Sequence, residues 1–515
     1  MREKTIIIIG AGIAGLAAGC YAQMNGYRSQ IFEMHFAPGG LCTSWERKGY
    51  IFDGCLQYLF GSGPGQPYYH LWEELGALQN RTMIQHEEMI RVTDMEGSTL
   101  IAYSDPARLA AHMKDLSPND AKLIDALCRG IDQFTKFDMS LMQQKPNALL
   151  SGQDWAQMGR SMLPFVLPLA RWGRISARDF ADRFSDPFLR QAVRQMFGWP
   201  DIPLMVGMSL LAYMHRGNAA FPAGASLDFA RAIERRYLDL GGVIHYRAPV
   251  EKILVEDDSQ GKSRAVGVRL YDDDEAHHAD VVISAADGRS TIFDMLESKF
   301  VNRSLIRTYD GHMPLHSQLQ VSLGIDDDFS DEPHWMIHLM DEPLTIAGED
   351  RHEIGIRNYC FDPTLAPPGK SVVTATLTTR HDYWKRIYGH RWYDTEQTQV
   401  SRIVLDFLEK VYPGIEARTE VVDEATPQSY ERYTSNWQGS SCGWLLTKET
   451  MALMIRGMPK TLPGLGNFYM AGQWVEPGGS VPIVAMSGRN AIQLICHADG
   501  LPFVTATPRT EIVAA

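Results

Sequence analysis

Apolar and polar positions change period several times along the chain, and each change marks an element. Thr5-Ile6-Ile7-Ile8-Ile9 is a short β-branched run without polar alternation, the pattern of a strand buried on both faces of a parallel sheet. Past Gly10-Ala11-Gly12, the alanine-rich stretch Ile13 to Gln23 reads as a helix, and Arg28 to Phe32 as a second strand ending in Glu33. A short strand and turn at Tyr50 to Gly54, the loop GSGPGQP and a helix at Tyr68 to Leu78 follow. Helical periodicity then dominates residues 106–215, with no strand series. Ser226 to Leu240 is a further helix, stopped by Gly241-Gly242. Strands are predicted at Val243 to Tyr246, Val250 to Val255, Ala265 to Leu270 and Ala279 to Ser284. Residues 312–425 are mixed, with strands at Gln318 to Leu323, Glu353 to Asn358 and Ser371 to Thr378 and a helix at Thr395 to Val411. A last helix, Ile483 to His497, precedes Gly500 and a tail after Leu501 that carries no pattern and reads as loose.

This order predicts an α/β fold. Its Rossmann-type nucleotide domain is discontinuous, built from residues 1–105, 222–300 and 465–500; residues 106–221 form a helical cap or insertion, 301–464 a sheet-containing substrate domain, and 501–515 the tail. The glycine spacing supplies the chemistry. Gly10 permits a tight turn, Gly12 lets a pyrophosphate approach the backbone, and Gly15 lets the helix pack on the strand, its N-terminus facing the phosphates. Glu33 lies about 20 residues further on, where a carboxylate accepts hydrogen bonds from ribose hydroxyls and disfavours a 2′-phosphate. The paired Gly39 and Gly40 in APGGLCTSW, residues 37–45, suit a second close approach of backbone to ligand.

Composition narrows the partners. At 515 residues the chain is long enough for two or three domains, and a formal net charge of −13 leaves no basic surplus for nucleic acid. The seven cysteines are scattered, with no CxxC pair, which fits a reducing compartment such as the cytoplasm rather than a disulfide framework or a zinc site. His70, His215, His334 and His338 are lone histidines without ligand spacing, so no metal is expected. Residues 161–170 are apolar and flanked by Arg160, Arg171 and Arg174, too short to span a bilayer. They read as part of a substrate tunnel or buried helix pair, with a peripheral membrane contact as the alternative; Pro164 and Pro168 weaken a simple amphipathic helix. Oligomeric state leaves no mark on the sequence.

Taken together, GAGIAG, Glu33, APGG, YIFDG, the block GGVI, VEKILV, AVGVRL and ADVVISAAD, and finally FYMAGQWVEPGGSVPIVAMSGRNA resemble the phytoene desaturase, carotenoid isomerase and retinol saturase group of FAD-dependent oxidoreductases, within a superfamily that includes flavin amine oxidases. The resemblance is strongest at residues 5–60, 222–290 and 465–496. It implies FAD as cofactor. By that resemblance Gly10, Ala11, Gly12, Ile13, Ala14, Gly15, Glu33 and Met34 hold the ADP half, and Gly39, Gly40 and Leu41 lie along the pyrophosphate and ribityl chain. Val250 holds adenine through its backbone, Ala285 opens a turn near the same nucleotide, and Gly472 and Gln473 meet the ribityl phosphate region. The backbone of Ser480 and Val481 approaches the flavin pyrimidine carbonyl. Independently, Ser480 is a good N-cap and Pro482 suits a first helical turn, so a helix N-terminus there would favour negative charge on the ring. Two positions depart from the group: Leu41 stands where Arg or Lys is common, and Gln473 where an acid is common, both nearer the saturase and isomerase branches than the amine oxidases.

The chemistry implied is hydride transfer at a C–C bond of an apolar, isoprenoid or polyene substrate, either dehydrogenation or saturation. Tyr58, Trp474 and Glu476 are the catalytic candidates: Glu476 as general acid or base, Tyr58 and Trp474 as ring packing or tunnel wall. The alternatives are a redox-neutral isomerase or hydratase of a lipid, a flavin amine oxidase, and a prenyl-binding escort protein that needs no redox cofactor.

Overall fold

The computed structural model describes residues 4–271 and 273–508. Thr5–Ile9 is the middle strand of a five-stranded, wholly parallel sheet, in the order Val243–His245, Arg28–Phe32, Thr5–Ile9, Val281–Ser284, Phe468–Met470. Its lack of polar alternation now has a cause, because both faces are covered. Ile6, Ile8, Ile31 and Ile283 pack into the core shared with the helices, while Ile7, Ile9, Phe32 and Val282 pack with Val250, Ile253 and Val268 of an antiparallel layer beneath. The two ends of the chain meet here. Phe468–Met470 closes the sheet, and the helix Val481–Ala498 packs on Ile13–Met24 so closely that a Cβ on Gly488 would lie 2.2 Å from the Ala14 carbonyl oxygen. A Cβ on Gly15 would lie 1.9 Å from the Gly10 carbonyl oxygen, which is why that third glycine is required.

The second sheet has seven strands, in the order Thr419–Ala425, Ser317–Ile325, Ser371–Thr379, Glu349–Asn358, Trp335–Ile346, Glu88–Thr93, Thr99–Tyr103. Glu88–Thr93 and Thr99–Tyr103, expected in the nucleotide segment 1–105, belong to this sheet instead, through parallel pairing of Met336 with Arg91. Four of its strands were not predicted: Glu88–Thr93, Thr99–Tyr103 and two more. Trp335–Ile346 carries a register shift between Leu339 and Leu344 with Pro343 inside it, so its alternation is broken; Thr419–Ala425 is a polar edge strand. One face of the sheet is apolar: Leu319, Val321, Leu323, Ile354, Ile356, Val373 and Ala375 pack against Val400, Val404, Phe407 and Leu408 of the helix Arg391–Val411. The opposite face is polar yet buried, with Gln320, Ser322, Thr374 and Arg357 turned toward the nucleotide half, and Gln320 Nε2 donating to the Asp53 carbonyl at 3.0 Å.

Helices from Pro106–Leu116 to Leu204–His215 occupy the segment read as helical, around the almost wholly buried Leu204–His215. The helix expected at Tyr68 to Leu78 is shorter, Tyr69–Glu74. The apolar segment 161–170 is only partly the buried helix pair expected. Phe165 is buried, but Leu163 and Leu167 are 72% and 80% exposed. The tail is not loose up to residue 506: Asn25 exchanges two side-chain hydrogen bonds with the backbone of Val504, Phe503 lies against Tyr21 and Arg489, and Arg236 donates to the Ala506 carbonyl. Residues 509–515 of that tail lie outside the described ones.

Candidate functional site

The first loop and the paired glycines form one surface. Gly39 N–H donates to the Ala11 carbonyl at 2.9 Å, and Gly39, at φ +107°, could not carry a Cβ without meeting the Cys42 carbonyl oxygen at 2.3 Å. Glu33 is buried at the end of its strand, its carboxylate accepting from the N–H groups of Ala11 at 2.6 Å and His35 at 2.8 Å. Burial pushes this carboxyl above its usual range, and those N–H groups pull it back. The helix Ile13–Met24 begins at Gly12 with no side-chain cap, so its first N–H groups are left to a ligand.

The C-terminal loop lies across from this surface. Gly472 N–H donates to Ser487 Oγ at 3.1 Å, which fixes the loop to its own helix. Asn436 is the hub: its Oδ1 accepts from Gln473 Nε2 at 2.8 Å and from Trp474 Nε1 at 3.1 Å, and its Nδ2 donates to the Ser440 carbonyl. Asp287, pushed up to about 6 by burial, accepts from the N–H groups of Ser290 at 2.8 Å and Trp437 at 2.9 Å. Ser480 occupies the N-cap position of Val481–Ala498, but its hydroxyl does not cap the helix; Ser480 Oγ is buried without a partner. The expected capping bond is therefore absent, and both the hydroxyl and the first-turn N–H groups remain available.

A cleft of about 320 Å³ runs between these surfaces. Gly10, Gly12, Ile13, Ala14, Glu33, Met34, Gly39, Gly40, Leu41, Val250, Ala285, Gly472, Gln473 and Val481 all line it. Ala11, Gly15 and Ser480 do not: Ala11 is engaged with Glu33 and Gly39, Gly15 is packed on Gly10, and Ser480 sits just behind Val481. Sequence reading missed the wall made by Tyr433, Thr434, Ser435, Asn436 and Ser441, together with Tyr271; Asp287, at the end of the turn that the resemblance put near the nucleotide, lines the cleft as well. A polar turn cluster at 434–436 was the wall's only mark. Uncapped helix starts at both ends, a half-satisfied buried acid and glycine backbone in between fit a dinucleotide whose charge lies at its centre.

The three catalytic candidates are not brought together. Glu476 does not line the cleft; it is ion-paired with Lys460, both side chains being largely buried. A carboxylate so engaged is tied to its cation rather than aimed at a substrate, which corrects the acid–base expectation. Trp474 does reach the cleft, but its indole is pinned by Asn436 and packed edge-on against Trp444 at 4.9 Å, as a wall. Tyr58 lies outside the cleft, tilted on Phe60 at 5.4 Å; burial raises its phenol while the charge of Arg357 opposes the rise.

The two-ended glycine cleft on a parallel sheet, set against a second, mostly antiparallel sheet, defines the class: an FAD-dependent oxidoreductase. The chain belongs to the flavin containing amine oxidoreductase family, whose model matches residues 13–496. It is 26% identical to a lycopene-forming phytoene desaturase of Pseudescherichia vulneris over 96% of this chain and 99% of that protein. It is 22% identical to the chloroplastic prolycopene isomerase of Daucus carota over 95% of this chain and 79% of that protein. Among solved structures, an oxidoreductase from Methanosarcina mazei shares the fold at a TM-score of 0.58 and 18% identity, covering 95% of this chain and all of that one.

Proposed function

We infer that the substrate is an apolar polyene or isoprenoid, dehydrogenated or saturated at a C–C bond. FAD supplies the two-electron partner for the hydride. The chain's own residues bind, orient and exclude water. The observation that carries this reading is the set of rings around Arg357 on the inner face of the seven-stranded sheet: Trp335 lies against its guanidinium, Tyr58 and Tyr359 are close enough to act on its charge, and Phe60 and Phe361 pack on those two tyrosines. Aromatic rings suit a conjugated chain. The same wall speaks against an amine: Asp53, the acid nearby, is consumed by hydrogen bonds from Cys55 and Ser226, and the buried charge there is the cation Arg357. The N-terminus of Val481–Ala498, with Val481 and Val484 on the cleft, favours negative charge at that end.

A redox-neutral isomerisation is the second reading, favoured by the similarity to the carrot isomerase. Anaerobic mixing of the flavin-loaded protein with polyenes and with amines separates the cases. Bleaching of the flavin by a polyene supports the reading; bleaching by amines alone would refute it, and product formed without net bleaching, only after pre-reduction, would establish the isomerase. At the cap, exposed Leu163, Val166 and Leu167 beside exposed Arg160, Arg171 and Arg174 form a face suited to anionic lipid headgroups, through which such a substrate would arrive. No helix among the described residues is long and apolar enough to cross a membrane, so this contact is peripheral. Sedimentation with anionic vesicles that is unchanged in Leu167→Glu would remove it.

A further inference from the structure

Among the described residues Arg357 makes no ion pair; the Asp53 carboxylate acts on its charge only from a distance. It stands on the inward face of the antiparallel sheet, opposite Trp335 on one neighbouring strand and Thr374 on the other. It is 8% exposed, and its guanidinium lies 3.6 Å from the centroid of the Trp335 ring. Among the described residues it has no hydrogen-bond or ion-pair partner, and Asp53 is already occupied by three donors. Burial lowers Arg357 to about 10, which leaves it charged at neutral pH. An aromatic face attracts such a cation but does not replace its lost hydrogen bonds, so a guanidinium kept here without an acid is costly to the fold.

A second unpartnered group stands close by. His86 Nε2 is buried with no hydrogen bond, and its ring is stacked at 3.8 Å on that of His334. Both imidazoles are held neutral, first by burial and then by neighbouring positive charge that includes Arg357. Tyr58, Trp335 and Tyr430, which stand near this cluster, are each only partly buried. A hydrocarbon would leave the guanidinium as it is; a carboxylate would meet its planar fork with two parallel hydrogen bonds.

Resting on the polyene reading above, we propose that Arg357 is a substrate-positioning residue that receives a carboxylate carried by the apolar chain, with His86 Nε2 as a further hydrogen-bonding partner. The substrate class is thereby a polyene acid, held by its head with its conjugated chain directed toward the cleft. No chemical step is added.

The test is a titration of the flavin-loaded protein with all-trans-retinoic acid and with its methyl ester, read by quenching of tryptophan fluorescence and by the change in flavin absorption. The acid binds about tenfold tighter than the ester or more, as a charge-assisted pair requires. Arg357→Met brings the acid down to the affinity of the ester, leaves the ester and the flavin content unchanged, and keeps or raises Tm because an unpaired buried charge is gone. Arg357→Lys falls between the two. Equal binding of acid and ester by the unaltered protein, or an Arg357→Met that weakens both alike or lowers Tm, would overturn the assignment while leaving the polyene reading intact. Binding of neither compound would remove the polyene reading, and this assignment with it.

Discussion

The two halves of the molecule present opposite kinds of surface. In the nucleotide half, backbone does the work: glycines at 10, 12, 39 and 472, two uncapped helix starts, and one acid, Glu33, at a strand end. In the substrate half, side chains do it. The antiparallel sheet turns Gln320, Ser322, Thr374 and Arg357 inward and its aliphatic residues outward onto the helix Arg391–Val411. A strand with alternating polar and apolar residues ordinarily faces its polar side to water. Here that side is buried against the rest of the molecule.

The largest expected effect breaks the nucleotide half. Gly15→Val places a branched side chain where even a Cβ would sit 1.9 Å from the Gly10 carbonyl, so the helix cannot stay on its strand. It costs about 3 kcal/mol or more and abolishes flavin retention, measured as flavin absorbance per protein after gel filtration. Full retention would mean that the close packing is dispensable.

Next comes the junction. Asn436→Ala strips the acceptor shared by Gln473 and Trp474, leaving the buried Trp474 donor and the part-buried Gln473 donor unpaired at a cost of about 1–3 kcal/mol. Tm falls and the bound flavin spectrum shifts, while the first glycine loop is untouched. An unchanged spectrum with lowered Tm would make Asn436 purely structural.

Asp53 sharpens the contrast through pH. Its carboxyl is pushed up to about 6 by burial, against hydrogen bonds from Cys55 and Ser226. With an ordinary value of 3.8, the folded state binds this proton more tightly than the unfolded state. The resulting stability is fully present below 3.8 and is lost as pH rises through about 6. The stability advantage of the unaltered protein over Asp53→Asn, from urea midpoints, is accordingly greater at about pH 4 than at about pH 8. A pH-independent difference would show that Asp53 titrates normally.

The smallest effect is at Glu476. Paired with Lys460 and outside the cleft, it changes turnover by no more than about twofold when replaced by Gln, since it makes no contact that grows in the transition state. A large fall in kcat with KM unchanged would restore it as an acid or base.

What was legible in the sequence follows the same division. Gly10, Gly12, Gly15 and Glu33 are constrained by backbone geometry, and geometry of that kind leaves fixed spacings. The C-terminal segment AGQWVEPGGSVP was legible for the same reason, and fold and chemistry agree that it meets the first loop across one cleft. Tyr433 to Asn436 were not, because a loop that supplies a wall needs only to arrive there. Trp335–Ile346 was hidden by Pro343 and its register shift, and with it the Trp335 ring that lies against Arg357. Residue type alone misled at Glu476: an acid in a glycine-rich loop suggested catalysis, whereas Lys460, sixteen residues earlier in sequence, had already engaged it.

The most direct test of the central claim, that the two ends of the chain build one FAD site, is the absorption spectrum of the purified protein with its cofactor identified after release. Oxidised-flavin bands from about one FAD per chain are expected, lost in Gly15→Val and restored by neither NAD nor NADP. A protein without flavin bands that also fails to take up added FAD would contradict it.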